Sequence, residues 1–250
     1  ILRVDEAGER IPLTVAGTDR ENGTVRIIFQ IVGATTALLN HKKEGEFIQD
    51  FVGPLGEATK TEGIKKVCIV GGGVGCAIAL PVAEEFHRLG AEVTSIIGFR
   101  SQDLLILEDE FKACSDRLIV MTDDGSYARQ GNVTVPLKEL LAGGETFDEV
   151  ITIGPLIMMK FVVAAVKPFG IPCTVSMNPI MIDGTGMCGG CRLTLVKEDG
   201  TRITRFACVD GPDFNGYEVD FDEAMSRGRM YAGFERRAYE KTCNLLQKAE

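Results

Sequence analysis

With two histidines in 250 residues, His41 and His87, the chain has little room for imidazole chemistry, and both lie in polar or helical settings typical of a surface. There is no lysine or arginine run, and the net charge is −9, which argues against a nucleic-acid surface. The long uncharged stretch from Val67 to Ala83 is interrupted by Gly71, Gly72, Gly73, Gly75 and Pro81. It is short for a membrane span and is not N-terminal, so neither a transmembrane helix nor a signal peptide is expected. Internal repeats and low-complexity segments are also missing. Eight cysteines are too sparse for a small disulfide scaffold. Cys68, Cys76, Cys114, Cys173 and Cys243 lie mostly in apolar or helical contexts, where a free cysteine behaves as a small buried hydrophobe, and a reducing cytoplasm is the expected compartment. A hydrophobic fraction of 45% and a charged fraction of 25% are those of an ordinary globular protein with space for two modest domains, or one with appendages.

The remaining cysteines form a pattern. Asp183-Gly-Thr-Gly-Met-Cys188-Gly-Gly-Cys191 is followed at a distance by Cys208. Cys188 and Cys191 make a Cys-x₂-Cys knuckle, and Asp183 occupies the place of the first thiolate in the plant-type two-iron pattern Cys-x₄-Cys-x₂-Cys…Cys. Three thiolates and a carboxylate at these intervals can close around a small metal centre. Gly184, Gly186, Gly189 and Gly190 suit a loop whose amides turn inward towards bridging sulfides. Structural zinc is the alternative, although zinc ribbons usually carry two knuckles, and unligated cysteines beside an Asp-Gly turn are a third reading.

The chain divides into three styles. Strand-like runs at Ile1–Val4, Pro12–Val15, Thr24–Val32 and Phe47–Val52 form an all-β segment that reads as incomplete. From Ile64, strands and helices alternate: strands at Val67–Val70, Glu92–Ile97, Leu118–Met121, Glu149–Ile153 and Cys173–Ser176, with helices over Ala77–Leu89, Leu104–Cys114, Leu137–Ala142 and Ile157–Val166. Continuous apolar strands in that alternation predict a parallel sheet covered on both faces. After Pro179 come the glycine-rich knuckle and a hairpin of Leu193–Val196 and Ile203–Ala207, and then a charged segment rich in helix formers.

Gly71-Gly72-Gly73-Val74-Gly75 joins the first parallel strand directly to a helix. Glycines there let the backbone approach a pyrophosphate while the helix N-terminus supplies free amides, so the loop reads as nucleotide-binding, with a merely tight turn as the plainer alternative. A usual dinucleotide-binding unit ends its second strand in a carboxylate for the ribose. Here the strand ends Ile96-Ile97-Gly98-Phe99-Arg100, which leaves NAD and NADP both open. Thr122-Asp123-Asp124-Gly125-Ser126 and Gly154-Pro155 follow later strands and are candidates to complete the pocket.

Taken in order, the β segment, the Gly71–Gly75 loop, the Gly154-Pro155 turn and the cysteine motif resemble the small subunit of the electron-bifurcating NADH-dependent reduced ferredoxin:NADP⁺ oxidoreductase, also described as a sulfide dehydrogenase small subunit, in the ferredoxin reductase superfamily. The resemblance runs almost to Tyr231, and its most specific part is Pro179 to Phe214, because Asp183 in place of a cysteine is characteristic of that subgroup. It implies an α/β protein with an all-β N-terminal part: a partial flavin-binding β-barrel over residues 1–60, a parallel-sheet NAD(P)-binding domain over 64–178, an iron–sulfur module over 179–231 and a helical tail over 232–250. Because the family's barrel begins earlier, first strands are expected to be missing, with FAD retention in doubt. FAD would meet Pro12, Leu13 and Thr14 at its ring and ribityl chain, and Gly33, Thr35 and Thr36 at its pyrophosphate. NAD(H), as substrate, would lie on Gly71, Gly72, Gly73 and Gly75 with Asp124, Gly154 and Pro155, and a [2Fe-2S] cluster on Asp183, Cys188, Cys191 and Cys208. Ile78 stands where the superfamily usually has proline, and Arg10 precedes Pro12 by two positions rather than one. No side chain is expected to act as acid or base, since the cofactors carry the chemistry. The implied partner is a larger flavin and iron–sulfur subunit, through which ferredoxin would dock. The electron-transfer subunit of dihydroorotate dehydrogenase shares this domain order with an all-cysteine cluster, and it is kept as an alternative beside a zinc-stabilised nucleotide-binding scaffold.

Overall fold

The computed structural model describes residues 1–247. Its N-terminal part contains β1 (Leu2–Arg3), β2 (Val15–Asp19), β3 (Thr24–Ile27), α1 (Ala34–Asn40) and β4 (Asp50–Phe51), with β1 paired antiparallel to β4 and β2 to β3. β3 and β4 are shorter than the runs expected at 24–32 and 47–52, and the strand expected at 12–15 lies instead at Val15–Asp19. The cause is the small core available to them: Leu2, Val4 and Leu39 are buried, while Val32, Phe47, Phe51 and Val52 are exposed. Strand pairs with so little apolar burial have little to extend them.

The middle of the chain alternates as its apolar runs predict: β5 (Lys66–Gly72), α2 (Cys76–Arg88), β6 (Glu92–Phe99), α3 (Glu108–Ala113), β7 (Arg117–Thr122), β8 (Arg129–Gln130), α4 (Thr134–Ala142), β9 (Glu149–Ile153), α5 (Leu156–Val166) and β10 (Cys173–Ser176). The helix expected from Leu104 starts only at Glu108, because Leu107 takes a φ of 62°, outside the helical range. The C-terminal part adds β11 (Arg192–Val196), β12 (Arg202–Phe206), α6 (Ala207–Asp210), β13 (Asp213–Asn215), α7 (Phe221–Gly228) and α8 (Ala232–Gln247). Residues 248–250 of the tail expected to be helical lie outside the described residues.

One sheet organises the molecule, in the order β13-β10-β9-β5-β6-β7-β8, parallel except for β13 at its edge. Val67, Cys68, Ile69 and Val70 on β5 are fully buried because both faces are covered. On one face α2 lays Cys76, Ala79, Leu80, Ala83 and Phe86 against Ile69, Ile97 and Ile151, and the small residues allow close approach. On the other, Val162 and Val166 of α5 join Val150, Val175, Leu193, Leu195 and Phe214, so the knuckle region shares a core with the sheet. The strand order reverses between β5 and β9, one leading outward to β6 and the other to β10. Such a switch point opens a crevice at the carboxyl ends of the two strands. Among the described residues no helix is long and apolar enough to cross a membrane.

Candidate functional site

The hairpin β11–β12 explains how two distant cysteines meet. Its register pairs Arg192 with Phe206, which brings Cys191, just before one strand, beside Ala207 and Cys208, just after the other. The amide of Ala207 donates to the carbonyl of Cys191 at 3.2 Å, and the two sulfurs lie 3.2 Å apart. Both residues are buried, and burial, followed by the neighbouring Cys191, pushes the Cys208 thiol up to about 11. A metal would reverse that penalty by binding the thiolates.

Asp183 and Cys188 form a second pair. The Asp183 carboxylate accepts from the amides of Thr185 at 2.9 Å and Cys188 at 3.0 Å, and these bonds, the Thr185 amide first, hold its carboxyl below the usual range. The Cys188 side chain also reaches this carboxylate and, in contrast to the buried pair, is exposed. Gly184, Gly186 and Gly189 turn the loop at φ of 76°, 82° and 67°. Arg227 of α7 donates to the carbonyl of Gly190 at 3.3 Å, tying the knuckle to the body. Among the described residues no three His, Cys, Asp or Glu side chains gather as ligands for a single ion. The donors are instead arranged two and two, half-buried Asp183 with exposed Cys188 and buried Cys191 with buried Cys208. A two-iron cluster takes two protein ligands on each iron, so the donor set fits that group.

The second site lies at the switch point. A Cβ on Gly75 would come within 2.6 Å of the Ile153 carbonyl and 2.8 Å of the Gly154 Cα, so the glycine loop and the Gly154-Pro155 turn are in direct contact. Gly71 is equally confined, by the Cys76 sulfur at 2.9 Å, and Gly72 by Met158 and Pro155. Gly73 differs: its φ is 56° and nothing lies within 4 Å of a Cβ there. Gly71, Gly72 and Gly75 therefore serve packing, and Gly73 faces the open crevice, a division invisible in the sequence.

The acidic turn reaches the same end of the sheet. The amides of Asp123 and Asp124 donate to the carbonyls of Phe99 and Arg100 at 3.0 and 3.2 Å, placing the turn beside the end of β6. The Asp124 carboxylate accepts from the Ser126 hydroxyl at 2.7 Å and amide at 2.9 Å, which lowers its pKa. The structure thus brings a fixed anionic group from β7 to the strand end that lacks one.

The N-terminal residues are less convergent. Pro12 and Leu13 are half-buried and Thr14 is exposed, in an irregular stretch before β2. Thr35 is buried, and the Thr36 hydroxyl accepts from the Val32 and Gly33 amides at 3.0 Å while donating to the Gly33 carbonyl at 2.9 Å. That hydroxyl's single proton is engaged in the cap of α1 and is not free for a phosphate oxygen in this conformation.

Known proteins resemble the chain along nearly all of its length. Residues 178–220 match the iron–sulfur cluster binding domain of dihydroorotate dehydrogenase B. A Thermotoga maritima protein named as a dihydroorotate dehydrogenase B (NAD(+)) electron transfer subunit homolog is 47% identical over 250 residues, all of this chain and 86% of the relative. The Fusobacterium nucleatum dihydroorotate dehydrogenase B (NAD(+)) electron transfer subunit is 33% identical, over 88% of this chain and 85% of its own. A chain in the structure of an NADH-dependent reduced ferredoxin–NADP oxidoreductase, solved for insight into flavin-based electron bifurcation, superposes with a TM-score of 0.87 at 45% identity, covering 96% of this chain and 84% of that one. The cytochrome P450 CYP116B46 of Tepidiphilus thermophilus, at 17% identity and a TM-score of 0.54, shares the fold over 80% of this chain and 26% of its own.

Proposed function

Because the chain belongs to the family of dihydroorotate dehydrogenase B electron-transfer subunits and their homologues, we propose that it passes electrons between NAD(H), FAD and a [2Fe-2S] cluster to a larger partner subunit, in flavin-based electron bifurcation that draws on NADH and reduced ferredoxin to reduce NADP⁺. The observation that carries this reading is the two-and-two arrangement of Asp183 with Cys188 and Cys191 with Cys208. When bound, the flavin accepts hydride and releases single electrons, and the cluster relays them one at a time.

The chain's own residues do the rest. Gly73 opens the crevice to a pyrophosphate, the N-terminus of α2 offers amides to it, and Gly71, Gly72, Gly75, Gly154 and Pro155 hold the loop there. Asp124 accepts from the ribose hydroxyls in place of the missing carboxylate on β6. Pro12, Leu13 and Thr14 shape the flavin side, with Gly33, Thr35 and the start of α1 at its diphosphate. We assign flavin binding to residues 1–60, nucleotide binding to 64–178 and the cluster to 179–231. A reducing cytoplasm suits the free cysteines. Ferredoxin would reach the complex through the partner.

The second reading is an electron-transfer subunit for a dihydroorotate dehydrogenase, which the names of the relatives support, or for a sulfide dehydrogenase. Asp183 favours the first, since the dihydroorotate enzyme resembles the all-cysteine cluster. A zinc-stabilised scaffold is opposed by the paired donors. The test is an anaerobic visible spectrum with iron and zinc quantified on the same natively purified sample. Brown protein with iron and no zinc is expected, and colourless protein holding zinc would overturn the redox reading. The complex with its partner then separates the two redox readings by whether NADP⁺ or dihydroorotate turns over.

A further inference from the structure

The segment between β4 and β5 does more than connect them. Leu55 packs on the loop beside Asp183: a Cβ on Gly184 would come within 2.6 Å of its Cδ1. The Glu57 amide donates to the Gly211 carbonyl at 2.7 Å, just after the helix that carries Cys208. Gly56 has a φ of 78°, and a Cβ on it would overlap that same carbonyl oxygen. The Thr59 hydroxyl meets the Asp213 carboxylate at 2.6 Å on β13. Residues 55–59 therefore touch both stretches that supply cluster ligands, the one holding Asp183 and the one holding Cys208. They follow β4 after Val52, Gly53 and Pro54, and β4 is paired with β1 in the proposed flavin segment. Ile1 also reaches the Asp183 loop, 3.3 Å from a Cβ on Gly184, so residues 55–59 are the part of the N-terminal segment that touches both ligand stretches at once.

We infer that residues 55–59 are a strut that sets the separation between the flavin segment and the cluster, with Gly56 and Thr59 as positioning residues. The inference rests on the cofactor assignment above. Tunnelling falls off steeply with distance, so a strut that holds two redox groups at fixed separation controls the rate of the step between them. That step moves one electron from the flavin to the cluster. NADH would supply two with its hydride, so after this single transfer one electron would remain on the flavin and one would be on the cluster.

The experiment uses the complete complex with its partner and compares Gly56→Ala, Thr59→Val and Thr59→Ser with the wild type. Gly63→Ala is the control, because Gly63 has the same φ of 78° but nothing within 4 Å of a Cβ. Iron and flavin content, flavin bleaching by NADH, cluster reduction by freeze-quench EPR and the flavin–cluster separation by dipolar EPR are measured on each. Gly56→Ala and Thr59→Val are expected to keep their cofactors and their bleaching rate while cluster reduction slows by about tenfold and the distance distribution shifts or broadens. Thr59→Ser and Gly63→Ala are expected to match the wild type. Should Gly56→Ala fail to fold, the two Thr59 variants decide the question. Unchanged cluster reduction and separation in Thr59→Val, with cofactors intact, would overturn the strut alone. Loss of iron in Thr59→Val, restored in Thr59→Ser, would overturn it by showing that the segment shapes the ligand loop instead. A wild type without flavin or iron would overturn the functional reading, and the strut with it.

Discussion

Among the proposed cluster ligands, Asp183 is the one whose chemistry departs most from the usual thiolate. A carboxylate is harder and donates less electron density than a thiolate, so it leaves the iron it binds easier to reduce. Asp183→Cys is expected to lower the cluster's midpoint potential, and an unchanged value in a redox titration would remove the residue from the ligand set. Thr152 has a simpler role to test. It is fully buried on β9, and its hydroxyl has no hydrogen-bond partner. Thr152→Val keeps the shape and removes the unsatisfied group, so it should stabilise the fold by about 1 kcal/mol in denaturant titration. The knuckle, the glycine loop and the acidic turn were legible in the sequence because each has its own spacing or composition. The fate of the Thr36 hydroxyl was not, since Gly-Ala-Thr-Thr is the same string whether that proton faces a ligand or caps a helix.

At the level of elements, the long apolar strands and α2 could be read directly, since burial on both faces leaves an uninterrupted run. Short elements could not: β8 and β13 span 2 and 3 residues, too few to show a period. α7 carried a readable signal that was missed, Asp220 three residues before Glu223, and the Asp220 carboxylate accepts from the Glu223 amide at 2.9 Å. Glu149 opens β9 beside a groove of about 490 Å³. Burial is the main cause that raises its pKa, the charge of Asp213 adds to it, and a hydrogen bond from Thr174 at 2.8 Å opposes it. A carboxyl with a raised folded pKa contributes stability below its unfolded value and loses that contribution as pH rises through the folded one. Glu149→Gln retains an acceptor for Thr174 and is expected to raise the melting temperature at pH 8 by about 2 °C, and to leave it unchanged or lower at pH 4. An equal rise at both pH values would mean that charge is not the cause.

For the whole molecule, the proposed single flavin and two-iron centre are too few to pass both electrons of a pair to separate acceptors, so the proposed coupled reaction would need the partner's centres. Purification under native conditions is expected to bring down a larger flavoprotein, and full coupled turnover by the lone chain would refute the division of labour. The alternation of strands and helices from β5 to β10 was visible in the sequence because its apolar runs are long and regular. The joining of the C-terminal part to them was not, because β13 enters the sheet from beyond the knuckle and pairs Val175 with Phe214 across a wide gap in the chain.

Cys191 and Cys208 belong to the same apolar core as Val150, Val162 and Val175, so the sulfurs proposed to bind the cluster are sealed in by the packing that holds the sheet together. The chain cannot finish folding and afterwards admit iron to that pair without reopening its own interior. On the proposed ligand assignment, cofactor insertion therefore belongs to the last stage of folding, before this core closes.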